Sequence, residues 1–130
     1  GNALAHKHVL VAEDNALNAE VITAILNIHD ATCEVAANGE EAVAKFGMSA
    51  PGTFDMIFMD VQMPVMNGHD AARAIRAMDR HDAGTIPIIA MTANAFAEDE
   101  RQALACGMNA HVAKPIDVHA LERVVAELSQ

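Results

Sequence analysis

Four residues that could bind a metal ion and a phosphoryl group stand at or just after the end of short apolar or β-branched runs: Asp14, Asp60, Thr92 and Lys114. The carboxyl ends of strands in a parallel sheet meet at one edge, where open α/β folds place their ligands. We therefore expect these side chains to share one crevice, although they lie far apart in the sequence. Two acids, a hydroxyl and an ammonium would there form a site for a divalent cation and a phosphoryl group.

Three carboxylates should crowd this edge, because Glu13-Asp14 follows the first apolar run and Asp60 follows the run at residues 56–59. Like charges at short range raise each other's pKa and destabilise the fold unless a cation intervenes. Mg²⁺ suits such an open set, because it is a hard ion that takes oxygen ligands and keeps several waters. The alternative for the acidic pair is that it only caps the helix that begins near Ala16.

Asp60 is the residue of this set that is best placed for covalent chemistry. The buried run before it would fix its position, and a carboxylate can attack phosphorus to give an acyl phosphate. Thr92 could offer its hydroxyl to one phosphoryl oxygen and Lys114 could pair with another. Phosphoryl transfer depends mainly on positioning and charge neutralisation. Taken singly, Thr92 could be a strand-end cap and Lys114 a surface ion pair, but their joint occurrence favours a site.

The elements that would position these residues alternate between strand and helix periodicity. Strands are predicted at residues 8–12, 32–36, 54–59, 88–91 and 110–113. Helices are predicted from the apolar spacing of Leu17, Val21, Ile25 and Ile28, of Ala42, Val43 and Phe46, of Ala71, Ala72, Ile75 and Met78, and of Val118, Leu121, Val124, Val125 and Leu128, and from the acidic first turn of residues 97–105. This alternation predicts the α/β class, with a single doubly wound, five-stranded parallel sheet and five helices on its two faces.

The length and composition of the chain bound its class. A chain of 130 residues with 52% apolar content can bury one core and is too short for two ordinary domains. We take residues 1–7, which lack an initiator Met, as an N-terminal extension or a vector remnant, and residues 8–130 as the domain. The sequence has neither a run of roughly 18 apolar residues nor the pattern of a signal peptide, so we expect a cytoplasmic domain without membrane contact.

Charge and cysteine content exclude other classes of function. The chain has 18 acidic and 8 basic residues, a formal net charge of −10, which disfavours direct binding of nucleic acid. Cys33 and Cys106 show no metal-ligand spacing, so a disulfide framework or a zinc site has little support.

The motifs around the four residues resemble those of a response regulator receiver domain. They are Glu13-Asp14-Asn15, the segment 59–64 with Gly68, Met91-Thr92-Ala93, and Lys114-Pro115. The resemblance implies a flavodoxin-like strand order 2-1-3-4-5 and a cis peptide at Lys114-Pro115.

The same resemblance implies a role for each site residue. Asp60 would be the phosphoacceptor, and Asp14 and Asp60 would bind Mg²⁺ (or Mn²⁺) directly, with Glu13 acting through water. The Gln62 main-chain carbonyl would be another metal ligand, and Thr92 and Lys114 would hold the phosphoryl group. Gln62 and Asn94 would tune the lifetime of the phosphorylated state.

The segments 59–68, 90–95 and 106–115 are most similar to receiver domains of hybrid sensor histidine kinases. This similarity implies a phosphorelay, in which Asp60 exchanges a phosphoryl group with the histidine of a kinase dimerisation domain or a histidine phosphotransfer domain. The parent chain would be a protein-histidine kinase that is in some cases membrane-bound, and this domain only the phosphoacceptor. A partner helical bundle would dock at the first helix (Leu17, Asn18, Val21) and near Pro115 and Ile116.

One position departs from the family pattern. Receiver domains usually carry Tyr or Phe as a switch residue three positions before the lysine, whereas this chain has His111 there and no Tyr. His111 could titrate near neutral pH or could pack as a partly buried ring. A relay domain needs less of an output switch than one that drives a DNA-binding domain, so the departure agrees with the hybrid-kinase interpretation.

Other functions remain open at the level of sequence. The domain could belong to a stand-alone or DNA-binding response regulator, or could be a binding module that no longer takes phosphate. An aspartyl-nucleophile phosphatase would also use a strand-end Asp with Mg²⁺, but it usually has a second acid where Gln62 stands. A flavodoxin-like cofactor binder would need a phosphate-binding loop after the first strand and an aromatic ring to stack on its cofactor, and the chain has no Trp or Tyr.

Overall fold

A computed structural model describes residues 3–93 and 97–128 of the chain, with only the backbone of residues 97–99. The strands are β1 His8–Ala12, β2 Thr32–Ala36, β3 Met56–Asp60, β4 Ile88–Thr92 and β5 Ala110–Ala113. The helices are α1 Ala16–Ile28, α2 Gly39–Met48, α3 Gly68–Arg76, α4 Ala97–Ala105 and α5 Val118–Leu128. All strand pairs are parallel, in the order β2-β1-β3-β4-β5, so the predicted α/β class and flavodoxin-like order are confirmed.

The core lies in two layers, one on each face of the sheet. Successive strand residues point to opposite faces, so Val9 and Val11 of β1 pack on one side and Leu10 on the other. Helices α1 and α5 cover the first face, and α2, α3 and the end of α4 cover the second. This is the predicted doubly wound arrangement, and it leaves the carboxyl ends of β1, β3 and β4 uncovered at one edge.

Strands β3 and β4 are placed so that their last residues are functional candidates. β3 begins at Met56 rather than at residue 54. The residue before it, Asp55, makes two hydrogen bonds with the main chain of His8: the Asp55 N–H donates to the His8 carbonyl, and the Asp55 carboxylate accepts from the His8 N–H (both 2.8 Å). Both strands run one residue further than predicted, and end at Asp60 and Thr92. These two side chains are therefore held by strand pairing rather than by a mobile loop.

The predicted helix α1 is present, and only one of its two apolar faces is buried. Leu17, Val21 and Ile28 are 67%, 48% and 77% exposed, whereas α1 buries Ala19, Ile22 and Leu26 against the sheet. Because this helix is apolar on two faces, hydrophobic spacing alone cannot select the face that packs. Leu17 and Val21 therefore leave exposed apolar surface on the half of α1 near the functional edge, and Ile28 is exposed at the other end of the helix.

Residues before β1 also contribute to the core. Leu4 is fully buried in the layer under α1 and α5, and the His6 N–H donates to the Asp30 carbonyl (2.8 Å). The predicted boundary between an N-terminal extension at residues 1–7 and the domain at residues 8–130 stays a prediction. Among the described helices, none has the length and apolar character needed to cross a lipid bilayer.

Candidate functional site

A cleft of about 290 Å³ opens at the carboxyl ends of β1, β3 and β4. Its walls bring together the residues expected there: Glu13, Asp14, Asp60, Gln62, Thr92 and Lys114. Glu13, Asp60 and Thr92 are 2%, 4% and 6% exposed, and Asp14 is exposed at the rim. The predicted convergence of these distant residues is therefore present in the structure.

Asp60 is buried and hydrogen-bonded through both carboxylate oxygens. Its Oδ2 accepts from Lys114 Nζ (2.7 Å), and its Oδ1 accepts from the Gln62 N–H (3.1 Å). Burial raises the pKa of Asp60 to about 6, and the nearby Glu13 charge adds to the rise, while the bonds from Lys114 and Gln62 oppose it. Asp60 is thus a carboxylate held in a fixed orientation, with a strong tendency to recruit a cation or a proton.

Lys114 bridges the two buried acids from the end of β5. Its N–H donates to the Thr92 carbonyl (2.7 Å), which ties it to β4, and its Nζ lies 2.7 Å from Asp60 Oδ2 and 2.9 Å from Glu13 Oε2. Burial lowers the pKa of Lys114, but the interactions with Asp60 and Glu13 outweigh this effect and raise it above its usual value. The Lys114–Pro115 peptide is cis, as expected.

Glu13 is directed into the cleft rather than serving as the cap of α1. The side chain that caps α1 is Asn15, which accepts from the Asn18 N–H (3.0 Å). Glu13 Oε1 accepts from the Asn15 N–H (3.2 Å), whereas its buried Oε2 has Lys114 Nζ nearby but no well-aligned hydrogen bond among the described residues. The ion pair with Lys114 compensates the charge of Glu13, and Glu13 lines the cleft, where a carboxylate oxygen can bind a metal ion or its water.

The acidic residues of the cleft fit a divalent cation. One carboxylate oxygen from each of Glu13, Asp14 and Asp60 lies within 4.8 Å of the others. With all three ionised and Lys114 protonated, the group carries three negative charges and one positive charge, a net charge of −2. A hard dication with oxygen ligands would neutralise that charge, which is the chemistry of Mg²⁺.

The chain next to Asp60 is packed too tightly for a side chain. A Cβ at Gly68 would overlap the Asp60 carbonyl oxygen and lie 3.0 Å from the carbonyl carbon. The Gly68 N–H donates to the Val61 carbonyl (3.0 Å), so α3 begins directly against the end of β3. This close approach brings the next residue, His69, into the cleft wall.

His69 was missed at the level of sequence, and one predicted residue, His111, lies outside the cleft wall. The Asn67-Gly68 pair could have indicated His69, because it starts α3 and Gly68 allows that start to lie against the end of β3. His111 is half-buried on β5 opposite Ala90 and is not part of the cleft wall. Its role as a switch stays a prediction. Asn94 lies outside the described residues.

Comparison with known proteins agrees with these features. The model of the response regulator receiver domain family matches residues 9–126. Hybrid signal transduction histidine kinase I of Dictyostelium discoideum is 35% identical over 127 residues, 96% of this chain and 7% of that protein. Histidine kinase 2 of Arabidopsis thaliana is 31% identical over 144 residues, 97% of this chain and 12% of that protein. The chain thus spans only a small part of these relatives.

Two solved structures are similar over nearly the whole chain. The receiver domain of a sensor histidine kinase from Pseudomonas aeruginosa PAO1, with a magnesium ion coordinated in its active-site cleft, has a TM-score of 0.84 and 35% identity, covering 97% of this chain and 100% of that one. The Ssk1 receiver domain of Saccharomyces cerevisiae, crystallised with the histidine phosphotransfer protein Ypd1, has a TM-score of 0.84 and 33% identity, covering 95% and 89%. The chain belongs to the response regulator receiver domain family.

Proposed function

We propose that this domain accepts a phosphoryl group on Asp60 from a phosphohistidine, with Mg²⁺ (or Mn²⁺) bound in the cleft, and then loses it to water or to a partner histidine. The observation that carries the proposal is the position of Asp60, buried at the end of β3 with Lys114 Nζ 2.7 Å from its Oδ2 and two further acids beside it. This arrangement fits a nucleophilic carboxylate next to a cation site.

In the transfer step a carboxylate oxygen of Asp60 attacks phosphorus. The new P–O bond forms as the P–N bond of the donor breaks, and the electron pair of that bond returns to the imidazole nitrogen. Lys114 moves from the carboxylate to a phosphoryl oxygen, and the Thr92 hydroxyl binds another. Mg²⁺ held by Asp14, Asp60 and the Gln62 carbonyl, with Glu13 acting through water, would neutralise charge on the phosphoryl oxygens.

In the loss to water, the water oxygen forms a bond to phosphorus as the bond between phosphorus and the Asp60 carboxylate oxygen breaks. The electron pair of that bond returns to Asp60, and inorganic phosphate leaves with one proton of the water, the other passing to a phosphate oxygen or to solvent. Water must approach from the side opposite Asp60, past the mouth of the cleft where the Gln62 side chain is exposed. We infer that Gln62 and Asn94 set how readily water reaches phosphorus.

The first prediction concerns the phosphoacceptor itself. Incubation with acetyl phosphate and Mg²⁺ is expected to add one phosphate to the wild type, and none to Asp60→Asn, because the amide lacks the nucleophilic oxygen anion. Intact-mass spectrometry measures the addition. Asp79→Asn, which alters an exposed acid outside the cleft wall, is the matched control and should be phosphorylated like the wild type. A wild type that takes no phosphate, or an Asp60→Asn variant that still does, would refute the assignment.

The exposed side of α1 supports the inferred partner. Leu17 and Val21 are largely uncovered, and a small apolar groove of about 160 Å³ lies between α1 and the chain after β5, bordered by Val21, Ile22, Pro115 and Ile116. Lys114 and Glu13 also line this groove, so a partner seated on it would reach the phosphoacceptor site. We infer that a helical bundle carrying the donor or acceptor histidine packs here. The similarity to the Ssk1 receiver domain, which was crystallised with a histidine phosphotransfer protein, supports a partner of this class.

The second prediction separates docking from chemistry. Val21→Asp is expected to slow transfer from a phosphorylated histidine phosphotransfer protein by about tenfold or more, because a charge would be buried at the centre of the interface. Phosphorylation by acetyl phosphate should be unchanged, since Val21 does not line the acidic cleft. Met48→Asp, at an exposed apolar residue that ends α2, is the control. Equal transfer rates for the two variants would exclude α1 as the docking surface.

We infer that the parent chain is a hybrid histidine kinase. This inference is supported by the curated relatives, which include hybrid and plant histidine kinases, and in each of which the matching segment is a small fraction of the whole protein. The sequence of the full-length gene tests it: a kinase core upstream would agree with the inference, and a DNA-binding domain downstream would contradict it.

A further inference from the structure

The loop at residues 61–67, between β3 and α3, is held between two helix starts of the same kind. Each begins with Asn-Gly, at Asn38-Gly39 for α2 and at Asn67-Gly68 for α3. In each helix the Asn side chain accepts a hydrogen bond from a main-chain N–H of the first turn, 2.8 Å from Asn38 and 2.9 Å from Asn67. In each helix the Gly lies against main-chain atoms of the loop or of Asp60.

The near end of this loop belongs to the site already described. It starts at Asp60, is closed by the bond from the Gly68 N–H to the Val61 carbonyl, and carries the Gln62 carbonyl, the proposed metal ligand. The loop conformation therefore sets where that carbonyl oxygen points. The far end is held by α2, which contributes no residue to the cleft wall.

Gly39 makes the contact at the far end. Its N–H donates to the Met66 carbonyl (3.0 Å), and because it begins α2 this N–H has no partner inside the helix. The positive end of the helix dipole also favours a carbonyl oxygen there. A Cβ at Gly39 would overlap the Met66 carbonyl oxygen and lie 2.9 Å from its carbon, so any larger residue must displace main-chain atoms.

The middle of the loop is too tight to absorb such a displacement. Val65 has a φ of +68°, which β-branched residues rarely adopt, and the Met66 N–H donates to the Pro64 carbonyl (2.7 Å) across it. The side chains of Met63 and Met66 pack on the core layer under α2 and α3. A movement of Met66 should therefore be passed along the loop towards Gln62.

We infer that Gly39 is a positioning residue for the metal site, holding the β3–α3 loop so that the Gln62 carbonyl faces the cation. The inference rests on the proposed function, since it assumes that a divalent cation binds the cleft. It assigns to α2 a function beyond packing: its first N–H fixes the far end of the loop that begins at the phosphoacceptor.

A pair of glycine substitutions in one helix tests this inference. Gly39→Ala is expected to weaken Mn²⁺ binding, followed by electron paramagnetic resonance, and Mg²⁺ binding, followed by calorimetry, by about tenfold, the lower range for losing support of a metal ligand. Gly47→Ala is the matched control, because a Cβ there would meet only the flexible end of the Met78 side chain at 3.3 Å. It should bind both ions like the wild type. Equal affinities for the two variants would overturn the inference.

A measurement on the wild type covers the case in which Gly39→Ala does not fold. If the contact favours the metal-binding loop, then metal must strengthen the contact by the same factor. Mg²⁺ should therefore slow hydrogen exchange of the Gly39 amide more than that of the Gly47 amide in the same helix. Equal slowing would overturn the inference. A wild type that binds neither ion would instead refute the proposed function, so the two failures are distinguishable.

Discussion

An Asp60→Asn variant is expected to be more stable than the wild type at neutral pH without divalent cations, by about 2–3 kcal/mol in the free energy of unfolding. Burial raises the pKa of Asp60 from 3.8 to about 6, and a difference of that size corresponds to roughly 3 kcal/mol. The wild type must keep this carboxylate ionised inside the protein at neutral pH, whereas the amide carries no charge. Asn can still accept a hydrogen bond from Lys114.

The dependence on pH gives the sign of this effect. A carboxyl group with a raised folded-state pKa binds its proton more tightly when folded, so its contribution to stability is full below about pH 4 and is lost as the pH rises through about 6. The advantage of Asp60→Asn should thus be small near pH 4 and complete above pH 6. Urea denaturation across this range measures it, with Asp79→Asn as the control.

Divalent cations should reverse the order of stability, so that the wild type becomes more stable than Asp60→Asn. If Mg²⁺ binds the cleft as proposed, it stabilises the folded wild type by mass action, but Asp60→Asn has lost a ligand and should gain less stability. A variant that is less stable than the wild type at neutral pH without metal would show that the ionised Asp60 is a net stabilising group, contrary to its burial. The expected result means that the site weakens the fold in return for reactivity.

The positions of Asp60, Thr92 and Lys114 were predictable because strand ends are a property of the sequence. Asp60 and Thr92 end fully buried strands and Lys114 follows the partly buried β5, and parallel strands align their ends whatever the details of packing. The structure even places Asp60 and Thr92 inside the strands rather than after them. The fold class and the gathering of the acids follow from the same pattern.

Features that depend on a close approach between elements were not predictable. Hydrophobic spacing along α1 does not say which of its two apolar faces meets the sheet; in the structure Ala19 and Ile22 are buried, whereas Leu17 and Val21 are exposed. His69 enters the cleft only because Gly68 lets α3 start against the Asp60 carbonyl. The Gly39 contact likewise joins segments that the sequence does not mark as neighbours.

Replacing Lys114 with Met is expected to destabilise the protein by about 2–4 kcal/mol at neutral pH and to prevent phosphorylation of Asp60. Lys114 Nζ lies within 2.9 Å of two buried carboxylates, and removing one partner of a buried ion pair leaves uncompensated charge. The raised pKa of Lys114 keeps it protonated at neutral pH, so its full contribution is present there and would be lost only at strongly alkaline pH.

The loss of stability in Lys114→Met should become smaller at acidic pH and should depend on Asp60. Without Lys114 the pKa of Asp60 must rise further, so protonation as the pH falls towards about 4 restores most of the stability. Lys45→Met is the control, since Lys45 has no ion pair among the described residues and should cost little. In the double variant with Asp60→Asn, Lys114→Met should cost less than in the wild type, because one of the two uncompensated carboxylates is gone. Equal costs in the two backgrounds would show that Lys114 does not stabilise the fold through its charge on the phosphoacceptor.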